Sequence, residues 1–251
     1  MKKVVVLSLG GSLIIPDNID IKFLREFKKT ILRNTKKYKF VIVCGGGSVA
    51  RKYISVLAQE KINEKLQSFS GISATRMNAR FMSYFSNINP EYGIPHTLNT
   101  LKKYLGSHDI VFCGALEYKP EQTSDSTSAE LAKIFRTIFI NLTDIAGLYD
   151  KNPKENKTNS SKDFRGKTPR RKRGRVKENK NAKFISKIGW KDFNEMANKN
   201  KYKPGQHFVL DQTASKIIRN FRIPTYIIGK DMKNLDYILK GKRFNGTFID
   251  G

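Results

Sequence analysis

Several short stretches of this chain carry residues suited to gripping anions. Gly10-Gly11-Ser12 closes the first apolar run, and Gly45-Gly46-Gly47-Ser48 closes the second. Glycine lets backbone N–H groups come close to an anion, and a helix that opens there adds a favourable dipole. Arg51 falls on the first turn of the helix that the triple glycine opens. A guanidinium there can fork onto phosphate oxygens. Lys119-Pro120-Glu121-Gln122-Thr123-Ser124-Asp125 ends in a helix N-cap cluster whose hydroxyls and N–H groups can also hold an anion. Thr143-Asp144 follows a strand directly, where a carboxylate can orient a metal–nucleotide or a lysine.

Each stretch alone has a plainer reading. Paired glycines are common in turns, and Arg51 reads equally well as an exposed side chain on a solvated face. Thr75, Arg76 and Asn78 share a helical turn, which reads as a polar face with Ile72, Met77 and Phe81 buried behind it. Asp211 begins a helix and is an N-cap by default. The glycine loops gain weight because they recur at equivalent places.

Those places come from the elements. Val4 to Leu9, Phe40 to Cys44, Asp109 to Cys113 and Thr137 to Leu142 are short β-branched and apolar runs, which predict buried strands. Helical periodicity predicts helices over 21–38, 48–59, 71–86, 97–105 and 125–135. Asp20 caps the first of these, and Ser48 the second, whose inner face is Val49, Tyr53, Val56 and Leu57. Further helices are expected near 191–198, 212–221 and 232–240, with strands at 225–228 and 244–249. Alternation of this kind predicts an α/β fold, a three-layer α-β-α sandwich with a mostly parallel central sheet. Ligands of such sheets sit beyond the carboxyl ends of the strands. The loops 10–12, 45–47, 114–124 and 143–149 all fall there, which points to a nucleotide or phosphate site.

Other classes drop away. No G-x-x-x-x-G-K-[ST] occurs, and no G-x-G-x-x-G follows the first strand. Cys44 and Cys113 end strands and read as small buried side chains. His96, His108 and His207 lack metal-ligand spacing, so no structural metal is expected. No apolar run reaches membrane-spanning length, and a cytoplasmic protein is expected. The formal net charge is +26, of which residues 158–180 carry +8. The tetrapeptide Lys-Glu-Asn-Lys stands at 154–157 and again at 177–180. The intervening 158–180 reads as a disordered basic insertion in a surface loop.

Taken in order, VVVLSLGGSLIIPDNID, VIVCGGGSVARKYI, GISATRMNA, TSDSTSAELA, NLTDIAGLYDKNP, VLDQTASKII and NGTFID resemble the archaeal-type uridylate kinases of the amino-acid-kinase superfamily. The resemblance spans nearly the whole chain outside 158–180. It implies an acceptor lobe over about 1–136 and an ATP lobe over about 137–251. It implies that Gly11 and Ser12 contact ATP phosphates, that Gly46 touches UMP, and that Gly47 and Arg51 face ATP. The loop 115–124 would wrap UMP through Lys119, Pro120, Glu121 and Gln122, with Thr123 and Ser124 near its phosphate. Thr143, Asp144 and Tyr149 would line the ATP base and ribose pocket, with Asn152 at the ribose. The chain departs from the family's pattern at Ser68, where an Asp for the UMP ribose is common, and at Glu121 and Asn152, where Gly and Asp are usual. Ser8 stands where many wider relatives carry lysine, a lysine that the archaeal branch, like this chain, lacks.

The implied reaction is transfer of the γ-phosphoryl group of MgATP to UMP, giving UDP in pyrimidine nucleotide synthesis. Its acceptor is already anionic, so catalysis is positioning and charge neutralisation, by Arg51 and Asp144 among the side chains. Lys216 or Lys52 is the candidate lysine partner of Asp144. Mg²⁺ would arrive with ATP and need few protein ligands. The resemblance also implies a homohexamer. One alternative is a kinase of the same superfamily for another small phosphate or carboxylate acceptor. The other is a basic nucleic-acid-binding protein acting through 158–180, a weaker reading than a solvated loop.

Overall fold

The computed structural model describes residues 2–16, 19–88, 93–120, 122–151, 153–155, 177–179, 181–199 and 209–251. In chain order the elements are β1 (Lys3–Leu9), α1 (Gly11–Ile14), α2 (Ile21–Asn34), β2 (Tyr38–Cys44), α3 (Gly47–Gln59), α4 (Glu64–Ser86), α5 (Leu98–Ser107), β3 (Ile110–Cys113), α6 (Ser124–Phe135), β4 (Phe139–Leu142), β5 (Leu148–Tyr149), β6 (Lys154–Glu155), β7 (Lys177–Glu178), β8 (Phe184–Ile185), β9 (Lys187–Ile188), α7 (Trp190–Lys199), α8 (Gln212–Phe221), β10 (Thr225–Ile228), α9 (Met232–Leu239) and β11 (Thr247–Ile249).

The main sheet has the order β3-β2-β1-β4-β10-β11-β9. Its first five strands run parallel, and β11 is antiparallel to β10. Strand alternation divides the core. Val5, Leu7 and Leu9 point to one face, where Phe27, Met82 and Leu235 from α2, α4 and α9 cover them. Val6, Val41 and Val43 point to the other, covered by α5, α6, α7 and α8 through Leu101, Ala132, Phe193 and Ile218. Burial on both faces is why these strands read as continuous apolar runs. The result is the three-layer α-β-α sandwich expected. Ser8 shares the face of Val6, so it is turned towards the α5–α8 layer.

The differences from the sequence reading have local causes. Gly11–Ile14 is a short helix rather than a turn alone. The helix capped by Asp20 ends at Asn34, because Tyr38 already belongs to β2. α4 begins at Glu64, capped by Asn63, seven residues before the expected start. α3 does not bury the expected face. Ala50 alone is buried there, while Tyr53 and Val56 are exposed. Ser48 does not cap it either; Gly46 occupies the N-cap, and the Ser48 hydroxyl donates to the Ile15 carbonyl at 3.3 Å.

The repeated tetrapeptide has a structural outcome. Lys154 pairs with Glu178 and Glu155 with Lys177 in an antiparallel two-stranded ribbon, β6 with β7. The described parts of the two copies, Lys154–Glu155 and Lys177–Glu178, therefore pair with each other, and Lys177–Glu178 is a strand rather than part of a disordered loop. Apart from Asn179, the rest of 158–180 lies outside the described residues, as do Asp17, Asn18, Glu121 and Asn152.

Candidate active site

The parallel strands β1, β2, β3, β4 and β10 all end at one edge of the sheet. From β1 the chain moves outward through β2 to β3, then crosses back to pair β4 with the other side of β1. The loops after β1 and β4 therefore diverge at a topological switch point, the usual place for a crevice.

The two glycine loops meet there backbone to backbone. Gly45 N–H donates to the Leu9 carbonyl at 2.9 Å, and Gly10 N–H to the Leu142 carbonyl at 3.0 Å. A Cβ on Gly11 would lie 2.1 Å from the Gly47 nitrogen and 2.7 Å from the Gly45 oxygen. Gly47 has φ +62° and would place a Cβ 2.6 Å from the Gly11 oxygen. Only glycine fits that left-handed backbone and that approach without strain. The N-termini of α1 and α3 consequently open side by side, with Ser12 in the first and Arg51, exposed, one turn into the second.

α4 forms the wall behind them. Buried Asn78 donates from Nδ2 to the Gly45 carbonyl at 2.6 Å and so fixes the start of the triple glycine. Thr75 accepts the Ala115 N–H at 3.0 Å. Arg76 donates from Nε to the Ala115 carbonyl at 3.1 Å and from Nη2 to the Leu116 carbonyl. Thr75 and Arg76 thus pin the loop that leaves β3. Gly114 allows this, since a Cβ there would sit 2.6 Å from the Arg76 nitrogen. The alternative reading of this helix fails at Met77, which is 50% exposed. Ser68 is half-buried on α4. Phe69, one residue on, packs edge-on against Tyr118 at 5.2 Å. Lys119 and Pro120 are exposed, and Gln122 N–H donates to the Lys119 carbonyl at 3.2 Å.

Thr123 caps α6, and Ser124 and Asp125 lie in its first turn. The Thr123 hydroxyl accepts the N–H groups of Asp125 at 3.1 Å and Ser126 at 3.4 Å, and donates to Asp211 Oδ2. Asp211 caps α8, its Oδ1 accepting the Ala214 N–H at 2.7 Å. Behind them, Ser8 Oγ donates to Asp125 Oδ1 at 2.8 Å. The switch point therefore holds a hydrogen-bonded chain from β1 through α6 to α8. Burial, and then the nearby Asp211 carboxylate, push the Asp125 carboxyl up to about 7, against the lowering effect of the Ser8 hydrogen bond. Burial also raises Asp211, against hydrogen bonds from Thr123 and from backbone N–H groups. The sequence reading gave Asp125 and Asp211 no more than capping roles. The signal was the strand alternation, which turns Ser8 towards α6.

On the far side, Thr143 N–H donates to the Ile228 carbonyl at 3.0 Å, and the Thr143 hydroxyl donates to Asp144 Oδ1 at 3.4 Å. Tyr149 lies edge-on to Phe184 at 5.3 Å, in the pairing of β5 with β8. Lys52 on α3 and Lys216 on α8 are both exposed. Among the described residues no group of three His, Cys, Asp or Glu side chains could hold a metal ion, and no helix is long and apolar enough to cross a membrane. Cys44 and Cys113 are fully buried at the ends of β2 and β3, and burial raises both thiols, Cys113 to about 12. Buried thiols raised in this way stay protonated and are weak nucleophiles.

This geometry has close parallels. The profile of the amino acid kinase family matches residues 3–162. The chain is 34% identical to a uridylate kinase of Thermoplasma acidophilum over 252 aligned positions, covering 100% of this chain and 98% of that protein. A uridylate kinase of Thermococcus kodakarensis is 28% identical, with 98% and 99% of the two chains covered. The crystal structure of uridylate kinase from Archaeoglobus fulgidus superposes with a TM-score of 0.74 and 28% identity, over 99% of this chain and 100% of that one. Glycine loops meeting at the switch point of such a sheet, in a chain matched end to end by these relatives, belong to a member of the amino acid kinase family, among the uridylate kinases.

Proposed function

We propose that the protein is a UMP kinase, transferring the γ-phosphoryl group of MgATP to UMP to give UDP and ADP. The observation that carries this reading is the backbone contact of Gly11 with Gly47, which sets two helix N-termini side by side at the switch point. The relatives named as uridylate kinases over the full length of the chain supply the acceptor.

Gly11, Ser12, Gly47 and Arg51 take the ATP phosphates, while Thr143, Asp144 and Tyr149 hold its nucleoside. Gly46, Ser68 and the loop from Lys119 to Ser124 receive UMP. The attacking oxygen belongs to a phosphate that is already anionic, so no general base is needed. The chain's work is to hold donor and acceptor in line and to offer N–H groups and the Arg51 guanidinium to charge on the transferred group. Mg²⁺ enters as part of MgATP, a substrate, and neutralises phosphate charge. Asp144 orients rather than abstracts.

Exposed Tyr53, Val56, Leu66, Phe69, Met77 and Tyr84 on α3 and α4 support self-association, in line with a homohexamer. Light scattering of the purified chain checks the assembly. The reaction itself is tested by phosphorus NMR of enzyme, MgATP and UMP, where the β-phosphate of UDP must grow in step with ADP.

A further inference from the structure

Asp211 divides its carboxylate between two helices. Oδ1 caps its own helix, α8, through Ala214 N–H at 2.7 Å. Oδ2 accepts the hydroxyl of Thr123, a residue 88 positions earlier that caps α6. The backbone N–H of Ser126 in α6 also faces this carboxylate. The Thr123 hydroxyl is fully used: one proton donated to Asp211, two N–H groups accepted from Asp125 and Ser126. Thr123 N–H is spent as well, on Ser126 Oγ at 2.7 Å. The residue that caps α6 is therefore held by Asp211 as well as by its own capping box. Ser8 completes the arrangement from the strand side by holding Asp125 at 2.8 Å.

We propose that Asp211 is a positioning residue for the acceptor: from the ATP side of the crevice, through the Thr123 hydroxyl, it sets the α6 N-terminus that the UMP phosphate meets. This rests on the proposed UMP site. It has a consequence that a donor-side role lacks. A change at Asp211 is felt by UMP and hardly by ATP, although Asp211 lies on α8, in the half of the chain assigned to ATP.

The test uses Asp211→Ser and Asp211→Asn in the full chain. Serine keeps an N-cap for α8, so the fold is retained, but it is too short to reach Thr123. Binding of UMP and of ATP is measured separately by titration calorimetry, which needs no turnover, and KM for each substrate is measured alongside. The expected result is a rise of about tenfold in the Kd and KM for UMP in both variants, the size of one lost charge-assisted hydrogen bond, with ATP within about twofold. Thr123→Val should give a similar rise, and adding Asp211→Ser to it should add little, because the two act through one contact. UMP binding unchanged in Asp211→Ser, weakening confined to ATP, or additive effects in the double variant would overturn the proposal. A wild-type chain that binds no UMP sinks the UMP site itself, a different failure from an unresponsive Asp211.

Discussion

Gly11 and Gly47 touch backbone to backbone, so that a single added methyl on Gly11 would lie 2.1 Å from the Gly47 nitrogen. This contact joins the first two strand–turn units and fixes the spacing of the backbone N–H groups that open α1 and α3. Gly11→Ala and Gly47→Ala must each push the loops apart. We expect turnover to fall by about a hundredfold or more and stability by roughly 2 kcal/mol or more. Gly106 is the control. It lies within α5, with nothing within 4 Å of an added Cβ. Gly106→Ala should leave turnover unchanged and stabilise by about 0.5–1 kcal/mol in urea melts.

Arg51 is exposed and sits where the triple glycine hands over to α3. Its proposed work is on the transferred phosphoryl group, not on the fold. Arg51→Gln should therefore lower kcat by about a hundredfold while leaving the thermal midpoint within a degree or so. Steady-state kinetics beside a thermal melt reads both. A large loss of stability with kcat intact would place Arg51 in the scaffold instead.

Asp125 makes the site sensitive to pH. Its carboxyl is raised by burial to about 7, so the folded chain holds a proton there that the unfolded chain loses near 3.8. Between these values the native state binds the extra proton, and stability drains away as pH rises. Asp125→Asn removes that cost. The variant should match the wild type near pH 4 and exceed it at pH 8 by up to about 4 kcal/mol. Denaturant melts across this range would expose a flat difference, which would contradict the burial argument.

Asp236 has the opposite sign. Burial would raise its carboxyl, but hydrogen bonds from Asn34, Lys240 and Arg33 outweigh it and hold it at about 2. Lys240 Nζ lies 2.6 Å and Arg33 Nη2 3.0 Å away, tying α9 to the end of α2. Its contribution is complete above the unfolded value of 3.8 and is lost as pH falls towards 2. Asp236→Asn should cost about 1–2 kcal/mol at pH 7 and nothing near pH 2, with turnover unaffected.

Much of this was legible in the sequence because the parallel strands are buried on both faces. Val4 to Leu9 and Phe40 to Cys44 could hardly be anything but central strands, and their glycine endings marked the crevice. What escaped depended on contacts between distant segments. Thr75 and Arg76 read as a polar helix face, yet they brace the loop after β3 across 40 residues of chain. Ser8 read chiefly as a missing lysine, yet its hydroxyl meets Asp125 across 117 residues. Asp211 read as an ordinary cap because its second partner belongs to another helix. The buried face expected of α3 failed for a related reason: helical periodicity reports an apolar stripe but not what covers it. Tyr53 and Val56 form such a stripe, left exposed in the single chain. The paired strands beside the insertion, by contrast, carry the repeated Lys-Glu, with Lys154 in register with Glu178 and Glu155 with Lys177.

The central claim is the acceptor. A coupled assay of ADP release from MgATP, run against UMP, CMP, AMP and GMP, tests it most directly. The account predicts turnover with UMP and a kcat/KM at least about tenfold above that for any other monophosphate. No turnover with UMP, or a clear preference for another acceptor, would contradict it.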